Sequence, residues 1–460
     1  MSQERELTVK KLYLEQKNSC LEDGKEVVLS GWIRSNRDNG SVGFIAFNDG
    51  SNFKDIQLVY SKETKNYDSI RTFRFGSTIK IFGTVKLTPA NKQPFEIQLT
   101  DALLLNDYAE DCPLQKKRQS FEFLRDIAYL RPRTNTFNAV FRVRNVLAYA
   151  IHKYFQENGF MYVHTPIITS NDAEGAGQVF HVASDLKKPN EFFNSSACLT
   201  VSGQLHVEAF ALAFRDVYTF GPTFRAENSN TTRHASEFWM IEPEIAFADL
   251  EDDMNLMESF LKYIINYVLD NCKDEMEFFN TYIDKTLFDK LHHVLNTPFK
   301  RVTYTEGIEL LKEAVKHGKK FEYNDIEWGM DLQSEHERYL TEEIVKGPMF
   351  LTDFPKEIKA FYMKQNSDGK TVAACDLLVP GVGEICGGSQ REENYEVLKA
   401  KMEELGNEKG LEWYLNLRKY GGCIHSGFGL GFDRLIMYIT GISNIRDTQP
   451  YPRTPGSLRY

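Results

Sequence analysis

Phe220-Gly-Pro-Thr-Phe-Arg-Ala-Glu-Asn-Ser-Asn-Thr-Thr-Arg-His-Ala-Ser-Glu-Phe-Trp-Met-Ile-Glu-Pro243 is the stretch on which the reading of the chain turns. Two strand-like ends flank a loop, Asn228 to Thr232, built only from Asn, Ser and Thr. The period of two in a strand puts Arg225 and Glu227 on one face of the first strand. Arg233 and His234 leave the loop, and Phe238 enters the second strand. A planar guanidinium fork, further cationic groups and an aromatic plate suit phosphate binding and purine stacking. A hairpin with merely solvated charges would explain any one arginine pair, but it explains the whole set poorly.

Two later segments carry compatible chemistry. In Cys375-Asp-Leu-Leu-Val-Pro-Gly-Val-Gly-Glu-Ile-Cys-Gly-Gly-Ser-Gln-Arg391, Asp376 and Glu384 flank an apolar run. Carboxylates of this kind hold Mg2+ on ATP phosphates. The Gly387-Gly388 pair permits close backbone approach to a ligand, and Arg391 suits a carboxylate or an amide carbonyl. In Ser426-Gly-Phe-Gly-Leu-Gly-Phe-Asp-Arg434 the glycines lack the dinucleotide-binding spacing, and no phosphate-loop lysine follows. They read as a strand that runs into a helix near Asp433. Arg434 then falls in the first helical turn, where anions are favoured.

Working outward, Val27–Arg34, Gly43–Asn48, Asp55–Tyr60, Thr78–Leu87 and Phe95–Leu105 read as five short strands with turn signals between them. That count suggests a small closed barrel of the oligonucleotide-binding (OB) type. Apolar residues from Phe137 to Phe155 recur at helical spacing, with Thr134 or Asn135 as cap and Gly159 as stop. The extended run Phe160–Ile168 contains Pro166, which has no N–H, so a strand at an edge or a bulge is expected. Helix and strand together suit a dimer surface or simple packing on their own domain. The expected organisation is α+β: a barrel over 1–105, a hinge over 106–130, and a catalytic domain over 131–460 with a mostly helical insertion at about 250–345.

At 460 residues the chain exceeds one ordinary core, and 42% hydrophobic content marks it as globular. No run approaches the roughly 18 to 20 apolar residues a membrane helix requires. The start, MSQERELTVKK, has no apolar core, so no secretory leader is expected. Seven scattered cysteines lack metal or redox spacing, which points to reduced thiols in the cytoplasm and no structural zinc. The net charge of −10 weighs slightly against a nucleic-acid partner, although Lys116-Lys117-Arg118 is a small basic track.

Taken together, the helix–strand with Pro166, FRAE…RHxxEF and GFGLGFDR resemble the three signature motifs of class II aminoacyl-tRNA synthetases. Their order and the N-terminal barrel are those of the aspartyl/asparaginyl/lysyl subgroup. FRAENSNTTRH with EFWMIEPE is most similar to the asparaginyl branch. The resemblance covers nearly the whole chain. It implies an antiparallel catalytic sheet, a homodimer formed through the first motif, ATP and Mg2+, and as partners L-asparagine and tRNA(Asn).

By the same resemblance, Arg225 would hold the α-phosphate, and His234 and Arg434 the γ-phosphate. Phe238 and Arg434 would flank adenine. Glu227 would meet either the adenine amino group or the amino-acid side chain. Asp376 and Glu384 would place magnesium, and Arg225, Glu384 and Arg434 form the catalytic set. Around the amino acid the implied contacts are Glu174, Ser202, Gln204, Val207, Glu227 and Arg391. Aspartyl relatives carry Ser-Pro-Gln-Leu-Tyr-Lys-Gln where this chain has Ser202-Gly-Gln-Leu-His-Val-Glu208. Val207 therefore stands where a lysine would pair with a substrate carboxylate, and a carboxylate buried without that partner is costly. In the barrel, Phe44 would stack on the middle anticodon base, with Gln57 and Glu96 bonding to it. Rival expectations are an aspartyl enzyme that also charges the asparagine tRNA, an asparagine-forming ligase that binds no RNA, and a nucleic-acid-binding module with a degenerate catalytic domain. Val207, the intact barrel and the complete ATP set weigh against each in turn.

Overall fold

The computed structural model describes residues 7–91, 93–171 and 178–460. Two compact units are present, Met1–Arg131 and Pro132–Tyr460.

In the first unit, β1 (Glu26–Asp38), β2 (Val42–Asn48), β3 (Ile56–Ser61), β4 (Thr78–Leu87) and β5 (Phe95–Asn106) close into a barrel in the order β1-β2-β3-β5-β4. Alternation decides the inside: Val27, Leu29 and Ile33 of β1 are buried with Phe47, Leu58, Ile81 and Ile97. The helix Val9–Lys17, capped by Thr8, adds Val9 and Leu12 to the same core. The intervening residues face outward. Phe44 is 39% exposed, and the register sets Ala46 opposite Gln57 and Phe44 opposite Val59. Gln57 Nε2 donates to Glu96 Oε2 at 2.9 Å. The three sequence-derived base-contact residues thus lie on strands of one outer surface.

In the second unit the short strands β6 (Met161–Tyr162), β7 (Ile168–Thr169), β8 (His181–Val182) and β9 (Ala197–Leu199) precede β10 (Asp216–Phe224) and β11 (Glu237–Ala246). Then follow β12 (Lys300–Thr303), β13 (Met349–Pro355), β14 (Thr371–Val379), β15 (Gly383–Gln390) and β16 (His425–Gly431). The main sheet runs β12-β13-β14-β15-β16-β11-β10-β6, and a small sheet runs β7-β9-β8. The main sheet is antiparallel except at its ends, where β12 pairs parallel with β13 and β6 parallel with β10.

The run expected as one strand over 160–168 is divided. β6 keeps the edge of the main sheet, Pro166 lies between, and β7 joins the small sheet. The helix Asn135–Glu157 is capped by Thr134, whose hydroxyl accepts from Phe137 N–H. The region 250–345 is mostly helical, but its first helix, Leu250–Asn271, lies against the sheet rather than apart from it. A Cβ built at Gly388 of β15 would stand 2.3 Å from Met257 and 2.6 Å from Asp253 of that helix.

Among the described residues no helix is long and apolar enough to cross a membrane. None of the seven cysteines is in a disulfide.

Candidate active site

The site grows from the β10–β11 hairpin. Arg225 continues the pairing one residue past β10, its N–H bonded to Ser236 O at 3.0 Å. Thr223 pairs with Phe238, so Arg225 and Phe238 are diagonal neighbours on one face, within side-chain reach. The Arg225 guanidinium carbon lies 5.3 Å from the centre of the Phe238 ring. Both line a cleft of about 190 Å3 shared with Glu227, Arg233, His234, Glu384 and Arg434. The cleft stays open because Gly429 and Gly431, on the neighbouring strand β16, offer no side chains to fill it.

Arg434 sits in the first turn of the helix Phe432–Thr440. Its Nη1 donates to Glu384 O at 3.3 Å and stands 3.7 Å from Glu384 Oε2. Asp433 beside it also lines the cleft, but its carboxylate is engaged by other groups. It accepts from Arg144 of the helix Asn135–Glu157 and, at 3.2 Å, from Trp239 N–H, which pins the helix start to the sheet. His234 Nδ1 pairs with the Thr231 hydroxyl inside the polar loop.

Arg233, one of the cationic groups the sequence set after the polar loop, also lines the cleft, and its Nη1 donates to Ser334 Oγ at 3.0 Å. Burial, then the charge of Arg434, lowers its pKa from the ordinary value. The cleft therefore gathers three guanidinium groups, Arg225, Arg233 and Arg434, alongside the carboxylates of Glu227, Glu384 and Asp433, and such planar forks suit phosphates.

The two acidic residues from the sequence come together over a glycine. A Cβ at Gly387 would lie 3.2 Å from Asp376 Oδ1 and 3.3 Å from Glu384 Oε1. Sequence reasoning missed two neighbours. Lys359 Nζ donates to both Asp376 oxygens, at 2.9 and 2.8 Å, and lies 3.9 Å from the Phe354 ring centre. Glu337 Oε2 accepts from Glu384 N–H at 3.0 Å. Burial raises the Asp376 carboxyl, Lys359 pulls it back, and Glu384 adds to the rise. Burial likewise pushes Glu337 up to about 7, with Glu384 and Asp376 contributing.

Along β11 the same face continues from Phe238 and Met240 to Glu242 and Glu244. At about 3.4 Å per residue this spans some 20 Å, from the Phe238 cleft to a buried polar end. There Arg391, 2% exposed, donates through Nε to Glu244 Oε2 at 3.2 Å and through Nη2 to Glu244 Oε1. Its Nη1 donates to Ser389 Oγ at 2.7 Å. One N–H on each terminal nitrogen is left without a partner among the described residues. Burial works against the Arg391 charge, but Glu244 outweighs it and holds the pKa above its ordinary value. Gly427 makes room for this pair, since a Cβ there would stand 2.4 Å from both Glu244 Cδ and Pro243 O.

Nearby, Ser202 Oγ and Gly203 N–H donate to Glu242, and Gln204 opens the helix Gln204–Phe214. Val207 of that helix is buried with Val163, Ala211 and Val217. Glu174 lies outside the described residues. Glu242 and Glu244 were not foreseen, although their alternation with Phe238 in FWMIEPE was the available signal.

A predominantly antiparallel sheet bearing an arginine-lined cleft and a buried arginine, in a chain that also holds a five-stranded barrel, defines a class II tRNA synthetase architecture. Residues 121–455 match the family model "tRNA synthetases class II (D, K and N)", and residues 27–105 match "OB-fold nucleic acid binding domain". The asparagine–tRNA ligase of Clostridium botulinum is 57% identical over 98% of this chain and 99% of its own length. That of Clostridium beijerinckii is 59% identical over 95% of this chain and 96% of its own length. The asparaginyl-tRNA synthetase of Pyrococcus horikoshii, complexed with asparaginyl-adenylate, superposes with a TM-score of 0.86 at 32% identity, covering 99% of this chain and 100% of that one. The chain belongs to the class II tRNA synthetases of the D, K and N group, and within it to the asparagine–tRNA ligase family.

Proposed function

We infer that the chain activates L-asparagine with ATP and transfers it to the 3′ end of tRNA(Asn). The observation that carries this reading is the single face of β11, which joins the Arg225–Phe238 cleft to the buried Arg391–Glu244 pair. The asparagine carboxylate attacks the α-phosphorus of ATP, forming asparaginyl-adenylate as pyrophosphate leaves. The 3′-hydroxyl of the terminal adenosine then takes the acyl group and AMP departs.

Arg225 neutralises charge on the α-phosphate, and His234 and Arg434 hold the γ-phosphate. Phe238 and Arg434 bracket adenine, while Glu227 lines the same cleft. No side chain is needed as a nucleophile, because positioning and charge neutralisation supply the rate. Asp376 and Glu384 suit Mg2+, which is held by one or two carboxylates plus substrate phosphates rather than by an all-protein cage. The oxygens converging over Gly387 fit that pattern, and among the described residues no larger ligand cluster exists. Bound there, Mg2+ would neutralise charge on the phosphates; Lys359 keeps the Asp376 carboxylate oriented.

At the amino-acid end, Ser202 and Gln204 serve the backbone groups of asparagine, a role the family resemblance also gives Glu174, and Arg391 offers its remaining N–H groups to the amide oxygen. Val207, packed among apolar neighbours, supplies no cation for a substrate carboxylate. Replacing Phe238 with leucine should raise KM for ATP about tenfold, the value of one base–aromatic stack. An unchanged KM in ATP titrations would place adenine elsewhere.

The barrel binds the anticodon through Phe44, Gln57 and Glu96. Phe44→Ala should weaken tRNA use by about tenfold while leaving tRNA-independent pyrophosphate exchange intact; loss of both activities would contradict this division. Met161, Ile167 and Ile168, exposed near the sheet edge, support a homodimer through this surface. A cytoplasmic location follows from the same reading. The direct test is aminoacylation of tRNA(Asn) by the full chain with labelled asparagine. Product sensitive to alkaline deacylation supports the reading, and failure to charge refutes it.

A further inference from the structure

Behind the amino-acid end lies a carboxylate to which the reaction assigns nothing. Glu208, on the helix Gln204–Phe214, and Arg418, on the helix Glu412–Lys419, both have fully buried side chains. Glu208 Oε2 accepts from Arg418 Nη2 at 2.8 Å, from His425 Nε2 at 3.0 Å and from Tyr414 Oη at 2.9 Å. Burial favours the neutral acid, but Arg418 and His425 outweigh it and hold the carboxyl below its ordinary range. An ionised carboxylate only accepts hydrogen bonds. Its other oxygen, Oε1, accepts from Tyr414 Oη at 2.8 Å and from Gln204 Nε2 at 3.1 Å.

That last bond has a consequence for the substrate. An amide can present either its NH2 or its oxygen, and only its partners decide which. With Nε2 committed to an acceptor-only group, Gln204 must turn its carbonyl oxygen the other way. That oxygen has no partner among the described residues. An acceptor suits an α-ammonium group, whereas an NH2 in its place would repel it.

We propose that Glu208 is a positioning residue that locks the Gln204 amide with its oxygen toward the α-ammonium group of the amino acid. The lock also reaches the other end of the substrate. Arg418 Nε donates to Glu392 O at 2.8 Å, and Arg391 N–H donates to His425 O at 2.9 Å. The proposal rests on the asparagine-activating reading above.

The test compares L-asparagine with succinamate, which is asparagine without its α-amino group, as a competitive inhibitor of pyrophosphate exchange by the full chain. In Glu208→Gln the amide is free to flip. The preference for asparagine over succinamate should then fall about tenfold, the worth of a hydrogen bond to a charged group. KM for ATP should stay unchanged. The double variant E208M/R418M removes the pair without stranding a buried charge, and the same compression is expected. In a Gln204→Met background, E208Q should add nothing further.

Equal weakening of both ligands, or an unchanged preference, would overturn the proposal by reducing Glu208 to a structural role. Failure of the wild-type protein to use asparagine at all would instead refute the activity on which the proposal rests.

Discussion

Replacing Arg391 with leucine is expected to abolish asparagine-dependent pyrophosphate exchange and to cost about 3 to 5 kcal/mol of stability, the penalty for breaking a buried ion pair. Two effects coincide at this residue. Arg391 is the group proposed to offer N–H donors to the substrate side chain, and it is also the counter-ion of Glu244, whose side chain is fully buried. The variant would leave that carboxylate without its bidentate partner and beside the buried carboxylates of Asp253 and Glu208, so it would have to take up a proton or draw in water. Ser389 would lose its donor as well. Urea denaturation reads the stability term and exchange kinetics read the activity term. A variant that is stable and active would mean that Glu244 is paired elsewhere and that the substrate side chain lies outside this pocket.

Arg225→Ala should lower kcat/KM for exchange by about a thousandfold, the scale on which a charge-stabilising arginine acts in phosphoryl and nucleotidyl chemistry. The fall should appear mainly in kcat, since negative charge on the α-phosphate grows as the transition state forms. The fold should survive. Arg225 lies beyond the end of β10, where the backbone bond from its N–H to Ser236 O holds the hairpin whatever the side chain. A loss confined to KM would make Arg225 a ground-state phosphate contact only.

The gathering of Arg225, Glu227 and Phe238 in one cleft was legible in the sequence because these residues are close along the chain. Arg225, Glu227 and Phe238 share a hairpin, and the period of two that relates them is visible without coordinates. The alternate glycines before Asp433 likewise read as a strand running into a helix, which is where β16 and the helix Phe432–Thr440 lie. The buried polar layer was not legible. Glu208 and Arg418 are 210 positions apart, and a carboxylate on an amphipathic helix reads the same whether water or a guanidinium faces it. Lys359 and Glu337 were hidden for the same reason, since each meets Asp376 or Glu384 only after folding. The helix Leu250–Asn271 had a recognisable apolar stripe, but helical spacing does not say what that stripe packs against. Pro166 signalled an edge or a bulge, yet the division of its run between two sheets depends on β9, some 30 residues downstream.

The measurement that bears most directly on the account is pyrophosphate exchange by the full chain, with asparagine and aspartate run side by side at equal concentration. Exchange should saturate with asparagine and remain near background with aspartate. Exchange driven by aspartate, with asparagine inert, would contradict it.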